Sequence, residues 1–248
     1  MPQTRTRPGW VIEYGDDEEL GTLRSGKEAG CFLVRRTDSG GRWCLLVRKD
    51  YRRRSDREYS APVRAGERGL RRDTYHGNVY IPAARDRRAV GKLTAHGREV
   101  REGAIARHEF ATLRTLWEAG AKVPYPVGPS EHGFYMQYVG TLDQAAPRLA
   151  DVRLNQEEAT KIFDRVVDDL HVLARVGVVH GDLSAYNILL QHGRPWIIDV
   201  PQAVDLFLHP EGYKLFERDV TNLCKHFARL EVRHDPVALI EELLHDVR

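Results

Sequence analysis

Cysteine is scarce in this chain of 248 residues: Cys31, Cys44 and Cys224 are all it has. Three widely spaced thiols exclude a disulfide framework and a zinc-finger spacing. No apolar run approaches the length needed to cross a bilayer, and no apolar segment follows the arginines of "MPQTRTRPGW". A membrane span and a secretory signal are therefore not expected. Net charge is only +2, and no internal repeat is visible. What remains, 42% hydrophobic and 30% charged residues, is the composition of a soluble, enzyme-sized cytoplasmic protein.

The small net charge conceals an asymmetry. Residues 48–107 hold 17 Lys and Arg against 8 Asp and Glu, and the rest of the chain is net acidic. Such a segment can bind a polyanion such as RNA or a ribosomal particle. It can equally be a solvated arginine-rich loop, since no aromatic stacking pattern accompanies the arginines.

Periodicity gives the organisation. Residues 1–20, ending in "GDDEEL", read as a weakly ordered lead-in. "CFLVRR" and "RWCLLVRKDY" read as strands around the turn "TDSGG", and 52–90 reads as a basic flexible loop. A helix is predicted from about Gly103 to Ala119, with Phe110, Leu113 and Trp117 as its stripe. "GFYMQYVG" reads as a buried strand. Asn155 with Glu158 is a capping-box pattern that opens a second helix, stopped at Gly177. Further helices are predicted from about Arg218 and after Asp235-Pro236. Strands come first and helices later, so the fold class is α+β, with a small β-rich N-lobe and a mainly helical C-lobe. The expected boundaries are 21–136 for the N-lobe, 137–141 for a hinge and 142–248 for the C-lobe.

The chemistry concentrates in "VVHGDLSAYNILLQHGRPWIIDV", residues 178–200. Asp182, Asn187 and Asp199 sit there among valine, isoleucine and leucine. A buried carboxylate needs a partner. "ILLQHGRPWII" reads as a hairpin, which returns Asn187 and Asp199 to one mouth while Asp182 lies on the loop before it. An amide carbonyl and a carboxylate suit Mg²⁺, which shares its ligands with substrate phosphates. Asp182 could accept a proton from an attacking hydroxyl. Taken singly, each residue could also be an ordinary turn or strand-end group. Elsewhere, alternation places Lys49 on a largely apolar strand face, and helical spacing turns Glu109 inward. The two could pair, or could be a strand-end lysine and a stripe-edge glutamate. Gly26 and Gly30 in "RSGKEAG" allow close backbone approach to phosphate oxygens.

These motifs resemble the protein-kinase-like superfamily and, more narrowly, the RIO family of atypical serine/threonine kinases. "HGDLSAYNILL", "WIIDVPQAVD", "RSGKEAG", "REGAIARHEFATLRTLWEAGAKVPYP", "MQYVG" and "HPEGYKLFERDVTNLCKHF" carry the resemblance, from about residue 20 to 230. It implies a bilobal protein-kinase-like fold that uses ATP and Mg²⁺, with Mn²⁺ as an alternative. It implies Asp182 as the catalytic base and Asn187 and Asp199 as metal ligands. Lys49, paired with Glu109, would be the ATP lysine. Ser25, Gly26 and Lys27 would form the phosphate loop. The Gln137 and Val139 backbone would meet the adenine, with Met136 lining its pocket. His180 would brace the catalytic loop, and Asp219 would bond its backbone. The phosphoacceptor implied is a protein hydroxyl or Asp199 itself. Two other readings stay open: a small-molecule phosphotransferase of the aminoglycoside or choline type, and a nucleotide-gated module that binds RNA or a ribosomal particle.

Overall fold

The computed structural model describes residues 5–25, 29–51, 84–92, 94–245 and 247. Gly26, Lys27 and most of the arginine-rich segment lie outside them. The chain divides into two compact units. One comprises Pro8–Ala111 and Pro126–Tyr138; the other comprises Met1–Arg7, Thr112–Tyr125 and Val139–Arg248.

The first unit is built on an antiparallel sheet in the order β1-β2-β3-β5-β4. Its strands are β1 (Asp16–Ser25), β2 (Ala29–Thr37), β3 (Trp43–Tyr51), β4 (Pro126–Pro129) and β5 (Gly133–Gln137). Asp38 closes the β2–β3 turn by accepting the N–H groups of Gly40 and Arg42 at 2.9 and 3.0 Å. The expectation of a weakly ordered lead-in over 1–20 fails from Asp16 onward. Those acidic residues form an edge strand because arginines on β2 and β3 face them. Arg36 grips Asp17 with two N–H groups at 2.6 and 2.8 Å, Arg48 bonds Glu19 at 2.7 Å, and Arg35 bonds Glu18. Bidentate arginine–carboxylate geometry supplies direction as well as charge. Before the strand, Ile12 is buried with Cys44 and Leu46.

Helices differ from expectation at their starts. Residues 84–91, placed by the sequence in a loop, form helix α1 (Ala84–Gly91). Helix α2 (Ala95–Ala119) begins eight residues before Gly103. Its first two turns, "AHGREVRE", have no apolar stripe and give periodicity nothing to detect. Cys31 faces Lys49 and Cys44 faces Arg36 across the ladder, so the two thiols are not opposite one another.

The second unit is mainly helical. Helix α3 (Gln156–Arg175) opens with the capping box: Asn155 accepts the Glu158 N–H at 2.9 Å, and the Glu158 carboxylate accepts the Asn155 N–H at 3.1 Å. Its stripe of Ile162, Phe163, Val166, Leu170 and Leu173 is buried. Helix α4 (Gly212–Ala228) contributes Phe227 at 5.1 Å from Phe163, and α5 (Pro236–His245) buries Leu239, Ile240 and Leu243. Two short pairings complete the unit: β6 (Val178–Val179) with β9 (Val204–Asp205), and the hairpin of β7 (Ile188–Gln191) with β8 (Arg194–Ile197). Among the described residues no helix is long and apolar enough to cross a membrane.

One polar brace in this unit has a pH consequence. Asp169 is 7% exposed on α3 and accepts the Lys122 N–H at 2.7 Å. The Lys122 carbonyl in turn accepts the Ile197 N–H at 2.9 Å, which ties helix to hairpin. Burial, with Asp168 adding to it, pushes the Asp169 carboxyl up to about 6, against the pull of the Lys122 N–H and nearby cations. A carboxyl raised in the folded state holds its proton longer there than in the unfolded chain. Stability therefore falls as pH rises from about 4 to about 6, by at most about 3 kcal/mol. Asp169→Asn, which keeps an acceptor for Lys122, should abolish that part of the fall; urea melts at pH 4 and 7 check it. Asn155→Ala should cost about 1 kcal/mol in the same melts.

Candidate active site

In the sheet unit, β3 presents Lys49 and Tyr51 on one face, two residues apart. Lys49 donates to Glu109 Oε1 at 2.7 Å. Their side chains are 7% and 1% exposed, so the pair is buried. Tyr51 donates its hydroxyl to the other Glu109 oxygen. Tyr51 has no counterpart in the sequence reading, although alternation from Lys49 was the signal that could have found it. Helix α2 brings Glu109 to this face, one turn below its apolar neighbour Leu113.

Ser25 ends β1 opposite Gly30. Met136 and Gln137 end β5, opposite Val47 and Leu46 on β3. Val139 follows in the second unit, where its carbonyl accepts the Ala146 N–H at 3.0 Å.

In the helical unit the loop 180–187 is held from several sides. His180 is 1% exposed, with Nε2 3.0 Å from the Ile198 carbonyl; Nδ1 accepts the Asp182 N–H at 3.3 Å. Asp219 on α4 accepts the N–H groups of Gly181 and Leu183 at 2.7 and 3.1 Å. Arg218 donates to the Gly181 carbonyl. Both bracing roles read for His180 and Asp219 are thus observed as hydrogen bonds. Burial raises the Asp219 carboxyl above its usual range, while His180, the two amides and Arg218 pull it down. Gly181 has φ +79°, and a Cβ there would stand 2.4 Å from the Gln202 carbonyl oxygen, so only glycine fits.

Asp182 and Asn187 are joined directly. The Asn187 amide donates to the Asp182 carbonyl at 2.8 Å and lies 3.4 Å from its carboxylate. That bond uses the amide nitrogen and leaves the side-chain oxygen as the acceptor on the other side. The β7–β8 hairpin turns at His192 and Gly193, both at positive φ, and pairs Ile188 with Ile197. The Ile198 N–H then bonds the Asn187 carbonyl at 3.0 Å, so the segment carrying Asp199 returns beside Asn187. Asp199 itself has φ +66°. Among non-glycine residues Asp tolerates this region better than most, yet the conformation still costs about 1 kcal/mol or more. Among the described residues no group of three or more His, Cys, Asp or Glu side chains is placed to hold a metal. An amide oxygen and one carboxylate fit a hard cation whose remaining ligands are water and phosphate.

With this arrangement in view, comparison with known proteins is decisive. The RIO domain family model matches residues 80–239, well over half of the chain. The chain belongs to the RIO domain family. It is 36% identical over 144 residues to the RIO-type serine/threonine-protein kinase Rio1 of Haloferax volcanii, covering 58% of this chain and 48% of that protein. To the protein of the same name from Thermoplasma acidophilum it is 35% identical over 130 residues, covering 52% and 67%. To the serine/threonine-protein kinase rio1 of Schizosaccharomyces pombe it is 30% identical over 164 residues, covering 63% and 33%. The chain thus spans about half of the Haloferax relative and a third of the yeast one. The family match takes in Glu109, Asp182, Asn187, Asp199 and Asp219; Ser25 and Lys49 precede it.

Replacing Asp219 tests the brace. Asp219→Ala strips two buried backbone N–H groups of their acceptor and should cost at least about 2 kcal/mol in urea melts. Amide exchange at Gly181 and Leu183 should accelerate more than at the α3 amides.

Proposed function

We propose that this RIO-domain chain is an ATP- and Mg²⁺-dependent phosphotransferase, a serine/threonine kinase or an ATPase. The observation that carries it is the linked Asp182–Asn187–Asp199 loop system, held by His180 and Asp219 within the family match. Asn187, through its amide oxygen, and Asp199 would hold Mg²⁺. The cation supplies neutralisation of the phosphate charge. Mn²⁺ offers the same hard oxygen chemistry. Lys49, fixed by Glu109, would meet the α- and β-phosphates, with Ser25, Gly26 and Lys27 as the phosphate loop. The backbone of Gln137 and Val139 would meet the adenine, beside Met136.

In the hydroxyl-directed reaction the Asp182 carboxylate takes the acceptor's proton. The acceptor oxygen bonds to the γ-phosphorus, the bond to the β–γ bridging oxygen breaks, and ADP leaves. In the second version the Asp199 carboxylate oxygen is the nucleophile, and the aspartyl phosphate is then hydrolysed. RIO membership supports either version over an aminoglycoside or choline kinase. The resemblance to RIO kinases also supports a cytoplasmic setting.

The deciding experiment is incubation with γ-³²P-ATP and Mg²⁺ of wild type, Asp182→Ala and Asp199→Asn, then hydroxylamine treatment and phosphoamino-acid analysis. Hydroxylamine-labile label lost in Asp199→Asn establishes the aspartyl-phosphate cycle. Stable phosphoserine lost in Asp182→Ala establishes the hydroxyl-directed kinase. An unlabelled wild type that binds ATP without turning it over overturns the proposal.

A further inference from the structure

Glu109 is almost fully buried, and each of its oxygens has its own donor from β3: the Lys49 ammonium on Oε1 and the Tyr51 hydroxyl on Oε2. A carboxylate bound through one oxygen can rotate about its terminal torsion, which is broad and two-fold. Two donors on opposite oxygens fix its plane. Tyr51 is well suited to supply the second. It is 6% exposed, its N–H is anchored on the His132 carbonyl at 3.0 Å, and its ring centroid lies 5.6 Å from Lys49 Nζ. The anchor matters because Gly133, next to His132, lies so close to the Lys49 carbonyl that a Cβ there would stand 1.9 Å from it. The strand end that carries Lys49 and Tyr51 is thereby clamped to the β4–β5 turn.

We infer that Tyr51 is a positioning residue for ATP: by fixing the Glu109 carboxylate plane it fixes where the Lys49 ammonium is offered to the triphosphate. This rests on reading Lys49 as the ATP lysine. Held on a rigid carboxylate, the Lys49 ammonium keeps one position. Lys49 contacts phosphates that it holds both before and during transfer, so its misplacement weakens ground state and transition state alike. That raises KM and leaves kcat nearly unchanged.

The test uses the full chain as wild type, Tyr51→Phe, Lys49→Met, the double variant and Tyr135→Phe. Tyr135 is a control tyrosine on the same sheet, bonded to Asp17 and not to the Lys49–Glu109 pair. Tyr51→Phe should raise KM for MgATP, and its dissociation constant by calorimetry, about tenfold, with kcat within about twofold. Tyr135→Phe should lower the melting midpoint without moving KM. In the Lys49→Met background, Tyr51→Phe should change ATP affinity no further. If Tyr51→Phe loses its cooperative melt, the wild type carries the test: the Tyr51 ¹³Cζ resonance should shift on MgATP addition, and not in Lys49→Met. Unchanged affinity in Tyr51→Phe, an equal loss in the Lys49→Met background, or a static resonance overturns the role of Tyr51 alone. A folded wild type that binds no MgATP overturns the reading of Lys49 and this inference with it.

Discussion

A carboxylate taken out of water must be met by donors, and three such groups organise this protein. Glu109, Asp219 and Asp169 are 1%, 2% and 7% exposed. Each is met differently. Glu109 takes an ammonium and a phenol, Asp219 takes two backbone amides with Arg218 at 3.9 Å, and Asp169 has the Lys122 amide as its bonded donor. The donors of Glu109 come from β3, 60 and 58 residues earlier in the chain, so the helix is tied to the sheet at Lys49. Those of Asp219 come from the loop that bears Asp182, so α4 fixes that loop. Desolvation without such donors would cost several kcal/mol per group.

The second constraint is backbone conformation. The hairpin turn needs two successive residues at positive φ, and His192-Gly193 provides them. Its register then fixes Ile198 against Asn187, and the next residue, Asp199, is forced into the left-handed region as the chain leaves. The following turn, with the Ala203 N–H on the Val200 carbonyl at 3.1 Å, holds it there. The strain is thus concentrated on one acidic residue, between a hairpin and a bonded turn.

Where side-chain period and burial coincide, the sequence was sufficient. Alternation on β3 put Lys49 on an apolar face, the helical stripe turned Glu109 inward, and Asn155 with Glu158 marked the start of α3. What could not be read depended on partners distant in sequence. The acidic run 16–19 looks like solvated chain until Arg35, Arg36 and Arg48 lie across from it. Asp169 sits beside Leu170 in the α3 stripe, and nothing local announces that Lys122 will meet it. Tyr51 was legible by the same alternation as Lys49. A tyrosine at a strand end is nevertheless ordinary until the carboxylate it serves is known.

The segment between Asp199 and α4 bears on the phosphoacceptor. The Leu206 N–H bonds the Gly177 carbonyl at 2.8 Å, and β9 pairs with β6. Asp205 accepts the N–H groups of Phe207 and Leu208 at 2.8 and 2.7 Å. The Gln202 carbonyl lies against Gly181. A peptide bound in extended form adds its main chain to strand edges that offer N–H and C=O groups. Here β9 is two residues long, its partner is β6, and the turn after it is closed on its own aspartate. What this segment offers outward is side chains, Phe207 at 61% and Leu208 at 85% exposure. A protein hydroxyl brought to this segment would therefore meet these side chains before it met the β6-paired edge of β9.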